Sequence, residues 1–159
     1  MLRPITAEDF DRVYAVYMDK TVNPYMTYPV MEKQAFYPVF SDLKQRDEFL
    51  AFEVNGEMVG FCTLARGRGR TQHKVMIESL GITGAQQGKG VGTLFMKGLL
   101  KHIARQGVKR VELIVESDNE KAINFYQKMG FAIEGRLRSY FKRKAQYIDD
   151  LYMALVWDR

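Results

Sequence analysis

The chain is poor in the residues that build metal and disulfide sites. It has one cysteine, Cys62, and two histidines, His73 and His102. A lone cysteine excludes an internal disulfide framework and a cysteine-based zinc cage. It suits a reducing, cytoplasmic setting. The histidines lie far apart and show no ligand spacing, so no metal is expected. No apolar run reaches the roughly 18 residues of a membrane-spanning helix. The opening Met1-Leu2-Arg3-Pro4-Ile5 lacks the apolar core and cleavage site of a signal peptide. Internal repeats and low-complexity stretches are missing, and prolines number only 4. What is present is ordinary: 159 residues, 47% hydrophobic and 27% charged. That suits a single globular domain over residues 1–159, and excludes a disordered chain or coiled coil. The net charge of +5 is mild for a nucleic-acid binder, so neither nucleic acid nor membrane is expected as a partner. Basic residues crowd two places, Arg66, Arg68 and Arg70, then Arg136, Arg138, Lys142, Arg143 and Lys144. These read as phosphate-holding clusters or as solvated loops.

Patterning predicts the elements. Residues 2–5 read as a strand. Thr6 reads as an N-cap with Glu8 and Asp9 in the first turn. Phe10, Val13, Tyr14 and Tyr17 recur at helical spacing and predict a helix over 9–18. Asn23-Pro24 and Tyr28-Pro29 break the next segment. A second helix is predicted over 32–44, disturbed by Pro38. Asn55-Gly56 between the apolar segments 49–54 and 58–65 predicts a hairpin with a type I′ turn. Residues 74–82 read as an apolar strand interrupted by Glu78. Val91, Leu94, Phe95, Leu99 and Ile103 predict an amphipathic helix over 89–104, stopped by Gly107. Residues 108–116 alternate as a strand. Asn119 opens a helix that Gly130 ends, Phe131 opens a strand, and the last strand covers 147–156. The order β-α-α-β-β-β-α-β-α-β-β predicts a mixed α/β (α+β) fold around one central sheet, not a doubly wound one.

The most informative segment is Gln87-Gly88-Lys89-Gly90-Val91-Gly92-Thr93. It follows a strand and opens a helix. Closely spaced glycines let a ligand approach the backbone, and the unpaired N–H groups of a first helical turn favour an anion. The spacing does not match a dinucleotide fingerprint, which needs Gly-x-Gly-x-x-Gly and an acidic residue in the role that only Glu112 or Glu116 could take. Gly90 after Lys89 rules out a Walker loop. A pyrophosphate cradle and a plain strand-to-helix turn are the two readings of the segment itself.

The same segment resembles the acyl-CoA motif, Gln/Arg-x-x-Gly-x-Gly/Ala, of the GNAT N-acetyltransferase superfamily. A second block, from Asn119 through Ala122, Ile123, Tyr126 and Gly130 to Phe131, is similar to that family's next motif. The blocks stand in the expected order, and the opening Arg3-Pro4-Ile5-Thr6 extends the resemblance over the whole chain. The run from Glu134 to Asp150 is similar to bacterial amino-acid, phosphinothricin-type and ribosomal-protein acetyltransferases. The resemblance implies a sheet of about seven strands with about four helices, split between the fourth and fifth strands. It implies acetyl transfer from acetyl-CoA to an amine, with no metal. Backbone N–H groups of Gln87, Gly88, Lys89, Gly90, Val91, Gly92 and Thr93 would hold the pyrophosphate. Leu80, Gly81 and Ile82 would pair with the pantetheine, and a backbone N–H near Ile82 would serve the oxyanion. Asn119 would both cap its helix and contact the pantetheine arm. One departure is Gly84-Ala85-Gln86, where many relatives carry Pro-x-Tyr.

Such a reaction needs a base, because an alkyl amine with a pKa near about 10 is mostly protonated at neutral pH. Glu78, on the strand leading into the cradle, is the base candidate; its other reading is a strand glutamate paired with an arginine. Tyr126 matches the motif tyrosine that faces the CoA sulfur and is the general-acid candidate; its other reading is a packed helix aromatic. His102 reads as packed, His73 as a secondary proton acceptor at most, and Cys62 as a small core residue. On the acceptor side, Tyr25, Tyr28, Phe36 and Tyr37 read either as pocket lining or as core, with Tyr140 and Tyr147 weaker candidates. The expected acceptor is a small-molecule amine or amino acid. A protein Nα-terminus and a non-catalytic CoA sensor are the alternatives. A homodimer through the apolar C-terminal strand is the assembly this pattern allows.

Overall fold

The asparagine and glycine between the first two long strands take up the left-handed backbone that a type I′ turn demands. Asn55 has φ 52° and Gly56 φ 80°. In the computed structural model, which describes Met1–Asp158, they join β2 (Glu48–Val54) to β3 (Glu57–Arg66), with Val54 paired to Glu57. The remaining elements are β1 (Leu2–Pro4), α1 (Phe10–Tyr17), α2 (Lys33–Leu43), β4 (Lys74–Ile82), α3 (Val91–Ala104), β5 (Arg110–Glu116), α4 (Glu120–Lys128), β6 (Ala132–Arg143) and β7 (Gln146–Val156). Their order is the predicted one. The strands form one mixed sheet in the order β1-β2-β3-β4-β5-β7-β6. β4 and β5 run parallel, from Lys74 opposite Arg110 to Ile77 opposite Leu113. Among the described residues no helix is long and apolar enough to cross a membrane.

Two compact units divide the chain, one holding Met1–Ala65 with Glu78–Leu100 and the other starting from Arg66–Ile77 and resuming at Lys101. In the first unit the alternation of β2 sorts its side chains. Phe49 and Ala51 join a core with Phe10, Val13, Tyr17, Phe36, Phe40 and Phe61, and Phe52 stacks on Phe95 of α3 at 4.7 Å. The rings lock α1 to α2: Tyr17 lies 5.0 Å from Phe36, and Phe10 lies 4.1 Å from Tyr37. Pro38 removes one backbone donor, yet α2 continues through it to Leu43.

Thr6 stands at the N-cap with Glu8 and Asp9 in the first turn, as expected, and α1 proper starts one residue later, at Phe10. A short 3₁₀ turn, Ala7–Asp9, precedes it. Asp9, the N-cap of α1, is held by Arg3, whose guanidinium donates to both carboxylate oxygens at 2.8 Å. The Thr6 N–H donates to the same carboxylate at 2.8 Å. These bonds hold the buried Asp9 carboxyl at a pKa of about 2.

In the second unit the antiparallel register of β5 and β7 sorts two faces. Val111, Leu113, Val115, Leu151 and Met153 are buried on one face. Glu112, Glu116, Asp150 and Tyr152 share the other. β7 is paired on both sides, to β5 and to β6. It therefore offers no free edge, which removes the strand-to-strand dimer route that its apolar sequence suggests.

One contact in the first unit is unusually close. A Cβ on Gly60 of β3 would lie 2.5 Å from the Gly81 carbonyl oxygen and 3.2 Å from Ile82 Cγ1. Gly60→Ala is expected to destabilise the fold by about 2 kcal/mol through overpacking, read as a lower urea midpoint. An unchanged midpoint would contradict that close approach.

Candidate active site

The glycine-rich segment has the geometry of an anion cradle. A 3₁₀ turn, Gly84–Gln86, follows β4, and α3 starts at Val91 rather than at Lys89 as expected. The reason is local: Gly88 and Gly90 adopt φ 75° and 77°, a left-handed conformation that an α-helix cannot include. Nothing lies within 4 Å of where a Cβ on either would project, so a ligand can come against bare backbone. Leu94 N–H donates to the Gly90 carbonyl at 3.1 Å. The N–H groups of Val91, Gly92 and Thr93 therefore precede the helix's own ladder, at the positive end of its dipole. Lys89 beside them is exposed.

Upstream, Gly81 is buried while Leu80 and Ile82 are half-buried. The Ile82 carbonyl accepts from Gln87 Nε2 at 3.0 Å, and Thr83 N–H donates to Val59 O at 2.9 Å. Glu78 lies exposed on β4, its Oε2 2.6 Å from Arg46 Nε. The arginine-paired arrangement of Glu78 is thus present. Arg46 also reaches Asp42 at 3.2 Å.

The aromatic candidates separate cleanly. Phe36 is fully buried core, whereas Tyr25, Tyr28 and Tyr37 are 39%, 43% and 56% exposed. These three line the surface of the first unit. Tyr140 and Tyr147 are exposed on the β6–β7 hairpin.

In the second unit Asn119 caps α4: its Oδ1 accepts from Ala122 N–H at 3.2 Å, and its own N–H donates to Glu116 O at 3.0 Å. Tyr126 is half-buried, its ring centroid 5.8 Å from that of Phe131 and 5.5 Å from that of Phe125. The ring packs while the side chain stays partly exposed. The basic run is largely engaged: Arg136 meets Asp149 at 2.9 Å and Arg143 meets Asp118 at 2.7 Å. Lys142 sits over the Tyr147 ring at 5.3 Å. His73 is exposed, His102 contacts Gln106 at 3.0 Å, and Cys62 is buried, with its thiol pKa pushed up by burial.

Sequence reasoning missed a pair of buried acids at the end of the β5–β7 ladder. Glu116 lies directly opposite Asp150, and they are 8% and 3% exposed. Burial, with the nearby charge of Asp150, pushes Glu116 up to about 7. Burial, with the charge of Asp118, pushes Asp150 up to about 6. Asp150 Oδ1 is buried with no hydrogen-bond partner among the described residues. No spacing rule pairs the two acids. Glu116 is three residues before the capping Asn119, but its opposite number is found only once the register is known.

Comparison with known proteins fits this geometry. The family described as "Acetyltransferase (GNAT) family" matches residues 10–131. L-amino acid N-acetyltransferase AaaT of Escherichia coli (strain K12) is 33% identical over 65% of this chain; the match spans 64% of that relative, less than two thirds of its length. Spermidine N(1)-acetyltransferase of the same strain is 29% identical over 97% of this chain and 84% of its own. The fold is similar to that of spermidine N-acetyltransferase from Vibrio cholerae, solved in complex with CoA and spermine. That similarity has a TM-score of 0.83 at 17% identity, over 98% of this chain and 94% of the other. With the family match covering most of the sequence, both motifs included up to Phe131, the chain belongs to the GNAT family of acetyltransferases.

Proposed function

We propose that this chain moves an acetyl group from acetyl-CoA to the primary amine of a small molecule or amino acid, by direct attack in a ternary complex. The observation that carries the reading is the bare backbone at Gly88 and Gly90, set against the opening turn of α3. Its chemistry fits a pyrophosphate: backbone donors, a helix dipole and no side chain in the way. Relatives named for acetylating L-amino acids and spermidine support an amine acceptor.

In this reading the backbone N–H groups from Gly88 to Thr93 hold the pyrophosphate; the Gln87 N–H, expected among them, is already donated to the Gly84 carbonyl at 3.2 Å. Leu80, Gly81 and Ile82 present β4 backbone to the pantetheine arm, and Asn119 contacts the same arm while capping α4. Bound acetyl-CoA supplies an activated acetyl group as a thioester. Glu78 takes the proton from the acceptor ammonium, directly or through a water, with Arg46 fixing its carboxylate in place. Tyr126 gives its phenolic proton to the departing thiolate. Tyr25, Tyr28 and Tyr37 offer aromatic surface to the acceptor.

Thiol release from acetyl-CoA tests this, measured against amino acids, polyamines, aminoglycosides, phosphinothricin and short peptides with free N-termini. Release that depends on an amino acid or a small amine is expected. Release with peptides alone would move the acceptor to a protein N-terminus. Acetyl-CoA binding with no release across the panel would favour the sensor, and no binding would remove the cradle reading itself.

A further inference from the structure

The segment after α1 is tied to the cradle's entrance by one carboxylate. Asp19 Oδ2 accepts from the Gly84 N–H at 2.8 Å. Its Oδ1 accepts from both the N–H and the hydroxyl of Thr21, at 2.8 and 2.7 Å. The Thr21 hydroxyl in turn accepts from Gln87 Nε2 at 2.9 Å. Two points of the segment 84–87 are thus held by residues more than sixty positions earlier. Side-chain fit repeats the connection. A Cβ on Gly84 would meet Thr21 Oγ1 at 2.9 Å, and one on Gly81 would meet Met26 Cε and Val22 Cγ1 at 3.0 Å each. A side chain at either place would push on this segment.

The rest of the segment is braced from inside. Asn23 Nδ2 donates to the carbonyls of Tyr17 and Tyr28 at 3.2 and 3.1 Å, and Tyr28 N–H donates to the Tyr17 hydroxyl at 3.1 Å. The exposed rings of Tyr25 and Tyr28 are carried on this frame. The Asn23 N–H donates to the Asp19 carbonyl at 2.8 Å, so a push at Gly84 has a hydrogen-bonded route, through Asp19 and Asn23, to the surface proposed for the acceptor. Burial works to raise the Asp19 carboxyl, but the bonds from Thr21 and Gly84 outweigh it and hold it below the usual aspartate value. The acceptor in this latch is thus a full carboxylate, which makes its hydrogen bonds stronger than neutral ones.

We propose that Asp19 is a positioning residue that couples the phosphate cradle to the acceptor-side segment 19–28, so that filling the cradle orders the surface on which the amine docks. The proposal rests on reading residues 87–93 as the acetyl-CoA cradle. Coupling of this kind is reciprocal, so the acceptor would also strengthen the hold on the cofactor.

Hydrogen exchange read by mass spectrometry tests it, with CoA as the probe. In the wild-type protein CoA is expected to slow exchange both in 84–93 and in 21–28. Asp19→Asn keeps the size but sets an amide N–H₂ against donors, and should confine the protection to 84–93 while weakening CoA binding about tenfold. Thr21→Val, a change at an exposed position, keeps the Asp19–Gly84 bond and removes the bridge to Gln87; it should give partial loss of protection in 21–28. Protection of 21–28 by CoA that survives both substitutions would overturn the latch while leaving the cradle reading intact. Wild-type protein that shows no CoA binding and no protection in 84–93 would overturn the cradle reading, and the latch with it.

Discussion

Replacing Tyr126 by phenylalanine is expected to lower kcat by about 10²- to 10³-fold, the usual worth of a positioned general acid. The affinity for acetyl-CoA should change by no more than about twofold, since the substitution removes one oxygen and leaves the carbon ring. That ring is what packs on Phe131 and Phe125, and the substitution keeps it. Single-turnover thiol release separates the effects: a slow chemical step with unchanged binding marks an interaction made only in the transition state. Glu78→Gln should lower the same step, and more severely at low pH, where the acceptor is most fully protonated. Turnover that survives both changes at the wild-type rate would remove the acid and base assignments and leave Tyr126 as a packing ring and Glu78 as the partner of Arg46.

The second large effect concerns stability and its dependence on pH. Glu116 sits at about 7 in the folded chain against an ordinary value of 4.5. Below about pH 4.5 the carboxyl is protonated in both folded and unfolded chains, and it makes no difference. Between these values the folded chain keeps a proton that the unfolded chain has released, so stability falls as pH rises. Above 7 the full cost is present, about 3 kcal/mol for a shift of this size. Asp150, raised to about 6, works in the same direction. Glu116→Gln removes the charge while keeping the size of the residue opposite Asp150. Urea unfolding should show the variant more stable than wild type at pH 8, by about 2 to 3 kcal/mol, and little different at pH 5. Equal differences at the two pH values would mean that the acid is not held protonated by its surroundings. Of the charged groups bearing on the pair, Arg143 is already joined to Asp118 at 2.7 Å.

Local signals carried most of the fold. Asn55-Gly56 specifies its own turn, and the glycines at 88 and 90 specify their own backbone, because each acts through φ angles within two or three residues. The apolar spacing of α1 and α3 worked for the same reason. Pairings across long separations did not show. Arg46 beside Glu78, Asp19 beneath Gly84 and Asp150 opposite Glu116 join residues that no spacing rule connects. Each depends on strand register or on where the segments after α1 and α2 lie. The expected aromatic pocket was half legible: helical spacing placed Phe36 and Tyr37 side by side in α2 but could not say that one is core and the other surface. The start of the first helix is legible too: Thr6 stands as the N-cap with Glu8 and Asp9 in the first turn, and only the 3₁₀ form of that turn escapes the pattern.

The two margins of the sheet carry features that work against backbone pairing with another chain. A sheet margin offers unpaired N–H and C=O groups to any other strand, and long flat margins invite fibrils. Here β1, at one margin, is three residues long and ends on Pro4, which has no donor. β6, at the other, is twelve residues long, but its register with β7 shifts twice, between Ile133 and Gly135 and between Leu137 and Phe141. Ser139, within the second shift, has φ 51°, and Arg136, Arg138 and Lys142 space positive charge along the strand. A neighbouring strand would meet kinks and like charges where it needs a straight ladder. A surplus of newly made chains should therefore stay dispersed. A β6 straightened by removing the shifts and neutralising the arginines would be the place where this protein starts to aggregate.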